Sequence, residues 1–249
     1  MGGIYILIIV AIIIAVVYFS TKNKSNDSIP ASNPYREKTI EERDNYVESL
    51  SPTAKVIVND GMNFFFIDHE QEFFGADTSG KTYSFNELHS MSVYKDAVTF
   101  LCMGPNRITV GKDILNQNST FPLDTASIEL LKKEMMPVLR KNLYELLEQY
   151  NITPTHEYER NGEIWGCDIN SRMFFVVYGS PQVYRFSDLL KVTIEDVRSN
   201  SMCDANYIMH IFIKQEDDWD DLEIEEYFDY KDQTFNDLLA MFKGIKNRQ

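Results

Sequence analysis

The sequence predicts an α+β protein in which a transmembrane helix is followed by two similar β-rich units, each closed by a C-terminal helix. Three observations lead to this prediction. An uncharged apolar run occupies the N-terminus, a block of about 100 residues recurs along the chain, and each copy ends with apolar residues at helical spacing. Of the 249 residues, 44% are hydrophobic, which is enough apolar material for a folded core.

The N-terminal run extends from Ile4 to Phe19 and contains no charged residue. With its flanking residues it spans about 30 Å as a helix, which is the thickness of a bilayer core. No basic residue precedes it and no small-x-small cleavage motif follows, so we expect an uncleaved anchor over residues 1–21. Because Lys22 and Lys24 follow the run, the positive-inside rule predicts a single-pass protein of the cell membrane, with the N-terminus outside and the soluble region cytoplasmic.

Residues 22–51 are predicted to be a polar tether that ends in a short helix. Two prolines interrupt its first half, and Thr39 and Glu42 have the spacing of a capping box. The repeat divides the rest of the chain into two predicted domains, residues 52–150 and residues 151–249.

The two domains are recognised by the internal repeat. Their β-rich blocks begin near Phe64 and Ile164 and keep the same order of turns and alternating apolar residues. In each copy an Asp ends one strand, an aromatic strand returns, and a Tyr-x-Phe strand follows a second turn. The matching residues are Asp68, Phe74, Tyr83, Phe85 and Leu88 in the first copy, and Asp168, Phe174, Tyr184, Phe186 and Leu189 in the second.

Each copy then continues with further strands and a closing helix. The helices are predicted over about Thr125 to Tyr150 and Gln233 to Lys246, where apolar residues keep one face. Alternation of apolar and polar residues predicts the later strands. These strands are Ala97–Met103, Arg107–Val110, Tyr207–Lys214 and Leu222–Phe228.

This order of an Asp turn, an aromatic strand, a Tyr-x-Phe strand and a closing helix resembles bacterial pleckstrin-homology-like (PH-like) domains, over roughly residues 52–249. The resemblance implies two PH-like barrels in tandem behind a membrane anchor, with a binding or scaffolding role rather than catalysis. Lipid headgroup binding, the familiar function of such domains, needs basic residues in the first hairpin loops. The loops at Asp68–Gln71 and Asp168–Arg172 contain one arginine between them, so phosphoinositide binding is disfavoured.

The charge balance restricts the class of partner. Acidic residues number 38 and basic residues 24, for a net charge of -14, and no basic stripe is visible. A nucleic-acid partner is therefore not expected. The three cysteines, Cys102, Cys167 and Cys203, are odd in number and far apart, which fits a reducing compartment and small buried thiols.

A P-loop pattern occurs at Gly75–Thr82, in which Lys81 would contact phosphates and Thr82 would hold Mg²⁺. A P-loop needs a helix directly after the loop. Here the alternating residues Tyr83–Phe85 follow, and the matching turn Gly179–Gln182 of the second copy has no lysine. We therefore interpret the segment as a hairpin turn, and keep a membrane-tethered nucleotide-binding enzyme as an alternative function.

The acidic run Glu216–Glu226 has carboxylates suited to Ca²⁺ but lacks the spacing and the glycine of an EF-hand. We interpret it as a solvated loop that runs into an edge strand, with a divalent cation sensor and a docking patch for a basic partner as alternatives. The four histidines, His69, His89, His156 and His210, show no metal-binding spacing. A Cys–His pair that meets only in the fold stays open.

The function predicted from these patterns is a bacterial, membrane-anchored cytoplasmic scaffold or protein-interaction module without catalytic activity. No catalytic, cofactor-binding or metal-binding residue is assigned, and no cofactor is expected. Asp68 and Asp168 are interpreted as turn residues, because an Asp side chain caps a turn by accepting a hydrogen bond from a backbone N–H two residues further on. The expected partners are the membrane, through the N-terminal helix, and another protein.

Overall fold

The computed structural model describes most of the chain after the tether. The described residues are 40–59, 64–76, 81–104, 106–111, 122–198, 205–215 and 221–249. The predicted membrane helix at 1–21 lies outside them. Among the helices that are described, none is long and apolar enough to cross a membrane. Contacts group Lys38–Gln249 into one compact unit.

In its described residues, the first copy of the repeat has a short helix, seven strands and a long helix. They are α1 (Ile40–Leu50), β1 (Lys55–Asn59), β2 (Phe64–Asp68), β3 (Phe73–Ala76), β4 (Lys81–Ser84), β5 (Leu88–Val93), β6 (Ala97–Cys102), β7 (Arg107–Gly111) and α2 (Thr125–Gln149). A 3-10 turn at Phe85–Glu87 separates β4 from β5. Strands β1 to β4 form one antiparallel sheet, and β5 to β7 form a second.

The second copy repeats this order from the first strand onwards. Its elements are β8 (His156–Arg160), β9 (Glu163–Asp168), β10 (Met173–Tyr178), β11 (Ser180–Arg185), β12 (Leu189–Asp196), β13 (Tyr207–Ile213), β14 (Leu222–Phe228) and α3 (Gln233–Lys246). A 3-10 turn at Phe186–Asp188 lies between β11 and β12. Strands β8 to β11 form a third antiparallel sheet and β12 to β14 a fourth.

The predicted fold class is wrong in its two closed PH-like barrels. The described strands form four separate open sheets of four, four, three and three strands, and none of these sheets closes into a barrel. The 3-10 turns explain the separation. In the first copy the Glu87 carboxylate accepts the Ser84 N–H at 2.7 Å, and in the second Asp188 accepts the Arg185 N–H at 2.8 Å. These bonds cap the turn, so the chain leaves one sheet before it enters the next.

In each copy, a side-chain amide on or just after the C-terminal helix donates hydrogen bonds to the 3-10 turn. Asn142 on α2 donates to the carbonyl oxygens of Phe85 at 2.7 Å and Leu88 at 2.9 Å. Gln249, just after α3, donates to the two corresponding carbonyls of the second copy. These carbonyls are partly buried and lie where the chain passes from one sheet to the next. The side-chain amide helps to satisfy their hydrogen-bonding capacity there.

The four-stranded sheets are apolar on both faces, and their second faces are covered in different ways. In the first copy, Phe64 and Phe66 pack against Val47 of α1. In the second copy, Ile164 and Phe175 belong to the core of the first copy. The two copies therefore share one hydrophobic core at their junction.

The turn between β8 and β9 also joins the copies. The Val93 N–H at the end of β5 donates to the Asn161 carbonyl at 2.8 Å. Gly162 has a φ of +83°, and a Cβ there would lie 2.5 Å from the Met91 carbonyl oxygen. Only glycine fits this close approach in this backbone conformation.

A phenylalanine–glycine pair is exchanged between the copies. Phe66 on β2 lies opposite Gly75 on β3, and a Cβ on Gly75 would be 2.6 Å from the Phe66 ring. In the second copy Gly166 on β9 lies opposite Phe175 on β10, with a corresponding distance of 2.2 Å. In each sheet a phenylalanine ring occupies the space above the facing glycine. The phenylalanine is on the earlier strand, β2, in the first copy and on the later strand, β10, in the second. The glycines are therefore fixed by packing against the facing ring.

Replacing Asn142 with Ala removes both hydrogen bonds to the 3-10 turn. We expect the free energy of unfolding to fall by about 1–3 kcal/mol, because two partly buried carbonyls lose their donor. Chemical denaturation of the purified full-length protein measures the change. Glu148→Ala, at an exposed position on the same helix, is the control and should change stability by less than ~0.5 kcal/mol. Equal losses in the two variants would contradict the role of the amide.

Candidate functional site

The residues of the P-loop pattern lie in paired strands. Gly75 pairs with Thr82, and Ala76 pairs with Lys81, so β3 and β4 run antiparallel on either side of residues 77–80, which are not described. Residues 81–104 contain strands and one 3-10 turn. No α-helix follows Lys81 in this described stretch, although the P-loop mechanism needs one to face the phosphates. The geometry is that of the predicted hairpin.

Asp68 and Asp168 occupy matching turns and are buried. Asp68 accepts two backbone N–H groups at 2.9 and 3.0 Å and the Thr53 hydroxyl at 2.7 Å. Burial opposes ionisation of Asp68, but these hydrogen bonds and one from Ser51 outweigh it and lower the pKa to about 2. The pKa of Asp168 is lowered in the same way. These contacts agree with the interpretation of both residues as turn residues.

The fold brings one Cys–His pair together, which sequence spacing left open. The Cys167 Sγ lies 3.9 Å from the His156 Nδ1, beside a cavity of about 160 Å³. Burial raises the pKa of the Cys167 thiol, although a hydrogen bond from Thr155 and the charge of Arg248 oppose this shift. The thiolate is the nucleophilic form of cysteine, so a thiol held protonated is poorly suited to catalysis.

A pair of carboxyl groups lies inside the second copy. Glu226 of β14 is 5% exposed and faces the core. The Trp165 Nε1–H donates to its Oε1 at 3.0 Å, and the Arg160 guanidinium lies 3.9 Å from its Oε2. Burial, with the adjacent Glu226, raises the pKa of Glu163. Burial raises the pKa of Glu226 as well, so simultaneous ionisation of both carboxyl groups is disfavoured.

The prediction that the acidic run is solvated is wrong for Glu226, which is buried. β14 is an edge strand, as predicted, and its inward positions are Leu222, Ile224, Glu226 and Phe228. The burial of Glu226 could have been predicted from the sequence, because it falls on the same alternating face of the strand as Leu222, Ile224 and Phe228. Its partner Glu163 lies far away in sequence, so the pairing itself had no local signal.

The opposite face of the same sheet carries a histidine between carboxylates. The His210 Nδ1 lies 2.8 Å from the Glu223 Oε1 and 3.7 Å from the Glu225 Oε1, and its Nε2 lies 3.2 Å from the Glu195 Oε2. We call these four residues the His210 cluster. The histidine side chain is 14% exposed, whereas the three carboxylates are 42–59% exposed. Sheet register brings the residues together, since β13 lies between β12 and β14.

A groove of about 640 Å³ lies where the end of α2 meets the β10–β11 hairpin. Its walls come from both copies and are partly apolar. Its lining includes Leu146, Tyr150, Met173, Val183, Tyr184, Arg185, Asp188 and Lys214. We call this feature the junction groove.

Comparisons with protein-family models, with curated proteins and with solved structures found no match for this chain. The resemblance to PH-like domains therefore stays a prediction made from the residues of the repeat.

Glu163→Gln tests the raised pKa of Glu163. A carboxyl group whose pKa is raised by folding contributes most stability below its unfolded pKa of about 4.3, and this contribution is lost as the pH rises through the folded pKa. We therefore expect the free energy of unfolding to contain a component that falls as the pH rises above about 4.3, by at most about 1.4 kcal/mol per pH unit.

Gln keeps the donor and cannot ionise, so this component should be absent from the Glu163→Gln variant. Urea denaturation at several pH values measures it as the difference between the two pH profiles. Glu145→Gln, at an exposed position on α2, is the control and should keep the wild-type profile. A profile unchanged by Glu163→Gln would show that Glu163 is ionised in the folded protein.

Proposed function

We propose that this protein is a membrane-anchored, non-catalytic module that binds a segment of a protein partner on the cytoplasmic side of the cell membrane. The junction groove is the observation that carries the proposal. Its volume of about 640 Å³ is within the range of sites that accept several side chains of a ligand. Its position between the two copies gives it walls from two rigid elements.

The walls of the groove have the composition of an interaction surface. Tyr150, on the first copy, is 54% exposed, and Leu146 lies one helical turn before it. Met173 and Tyr184 face the groove from the second copy. Tyrosine and methionine are enriched at protein interfaces because they supply large and adaptable contact area.

Strand β11 offers a backbone edge to an extended partner. It stands at the end of the sheet order β11-β10-β9-β8, and within the described sheets it pairs with β10 alone. Five of its residues, 181–185, line the groove. An extended peptide adds to such an edge through main-chain hydrogen bonds, and its alternate side chains enter the adjoining pockets.

Charge indicates the chemistry of the segment. Arg185 and Lys214 lie at the groove of a protein with a net charge of -14. Asp188 also lines the groove, but its carboxylate accepts the Arg185 backbone N–H. The occupant we propose is an extended segment with apolar side chains and at least one carboxylate, since a carboxylate pairs with exposed basic groups.

The rest of the chain favours binding over catalysis. The buried thiols of Cys102 and Cys167 are held protonated, and Lys81 begins a strand. The membrane part of the proposal comes from the sequence of Ile4–Phe19, which lies outside the described residues, and from the lysines that follow it. Anchoring would raise the local concentration of the groove near a partner in the same membrane.

Selection of random displayed peptides on the purified full-length protein tests the groove. We expect the selected peptides to combine apolar residues with a carboxylate. Lys214→Glu should weaken their binding at least about tenfold, because a favourable charge contact worth roughly 1.4 kcal/mol is replaced by repulsion. Titration of a labelled selected peptide measures the dissociation constant.

Lys133→Glu is the matched control, because it makes the same charge change at an exposed position of α2 that does not line the groove. It should leave the affinity unchanged. Selected peptides that bind the wild type and Lys214→Glu equally well would overturn the assignment of the groove.

A further inference from the structure

We propose that His210, Glu223 and Glu225 bind a divalent transition-metal ion, with Zn²⁺ as the ion that their chemistry fits best, and that Glu195 positions the histidine. The site is on the outer face of the three-stranded sheet of the second copy. The inference is independent of the junction groove, because none of these residues lines it.

The geometry of the three ligands matches a mixed nitrogen and oxygen site. Their candidate ligand atoms, one from each side chain, all lie within 4.8 Å of one another. The His210 Nδ1 is 2.8 Å from one glutamate oxygen and 3.7 Å from the other. Zn²⁺ binds imidazole nitrogen at about 2.0–2.1 Å and carboxylate oxygen at about 2.0–2.2 Å in a tetrahedral arrangement. Such ligand atoms lie about 3.3–3.5 Å apart, which the observed distances bracket. Water would complete the coordination.

The second ring nitrogen supplies an independent indication. The His210 Nε2 lies 3.2 Å from the Glu195 Oε2 on the opposite neighbouring strand. A histidine that binds a metal usually donates its other ring N–H to a carboxylate or carbonyl, which fixes the tautomer and the ring orientation. With the Nε2–H donated to Glu195, a bound ion would take the place of the Nδ1 proton that faces Glu223 at 2.8 Å. The Phe212 ring stacks beside the imidazole with 6.3 Å between centroids and restrains it further.

The first copy shows that the fold does not require this cluster. The pairing Thr99–Thr109 in β6 and β7 corresponds to the pairing His210–Glu225 in β13 and β14. The two threonine hydroxyls lie 3.1 Å apart and satisfy each other. Arg107, a cation, stands where the second copy has Glu223. The same scaffold position therefore folds with hydroxyls and a positive charge, and only the second copy carries metal-binding groups.

The amino-acid types distinguish Zn²⁺ from Ca²⁺. Ca²⁺ takes six to eight oxygen ligands, and a neutral imidazole is a poor ligand for it. An imidazole nitrogen with two carboxylates suits Zn²⁺. The acidic run Glu216–Glu226, for which a divalent cation sensor was the alternative interpretation, contributes Glu223 and Glu225 to this site, while its residues 216–220 lie outside the described part of the chain.

The test is Zn²⁺ binding to the full-length protein after removal of bound metal with a chelator. Isothermal titration, with a chromogenic chelator as competitor, should give one Zn²⁺ per chain. His210→Gln should abolish this binding. Glu195→Gln should keep the stoichiometry and weaken the affinity about 10–100-fold, because it loosens the ring without removing a ligand.

Two further variants separate metal binding from folding. Glu225→Thr introduces the residue that the first copy has at the matching position, so it should fold as the wild type does, by circular dichroism, and lose Zn²⁺ affinity. His69→Gln is the matched control. The His69 Nε2 lies 2.8 Å from a single carboxylate of Glu134, and this pair should contribute nothing to the titration.

Three results would overturn the proposal. Absence of Zn²⁺ binding by the wild type would leave the cluster as a set of ion pairs. Binding that survives His210→Gln would place the metal elsewhere. Binding lost in Cys167→Ser and retained in His210→Gln would assign it to the Cys167–His156 pair.

Discussion

The arrangement of this protein depends on covering the second apolar face of each four-stranded sheet. Helix α1 covers that face in the first copy, through Val47 against Phe64 and Phe66. In the second copy, Ile164 and Phe175 pack into the core of the first copy instead. Burial of apolar side chains is the main force that stabilises a fold, so this packing fixes how the copies meet. The junction groove is a consequence, because its two walls belong to different copies.

The two copies share the turns and hydrogen bonds that determine the path of the chain, and they differ on their exposed faces. The Asp turns, the capped 3-10 turns and the amide at each closing helix recur. The exchange of Phe66–Gly75 for Gly166–Phe175 keeps one filled space in the sheet. By contrast, the outer face of the smaller sheet has threonines in the first copy and the His210 cluster in the second. This pattern is expected when packing constrains the interior and leaves the surface open to new chemistry.

Features set by local periodicity could be predicted from the sequence. The strand Leu222–Phe228 and the helix Gln233–Lys246 have the predicted limits, since alternation and helical spacing act over a few residues. Sheet closure depends on pairing between distant strands, and the barrel prediction failed there. The residues of the candidate sites could not be predicted from the sequence for the same reason. Glu163 meets Glu226, and His210 meets Glu195 and Glu223, only through sheet register, which no spacing along the chain reveals.

Hydrogen exchange on residues 151–249 expressed alone, compared with the full-length protein, tests most directly the claim that the second copy needs the first. We expect the amides of β9 and β10 to be protected in the full chain and to lose most of their protection in the isolated copy, because Ile164 and Phe175 are then exposed to water. Equal protection in both proteins would contradict it, and would show that the second copy folds as an independent domain.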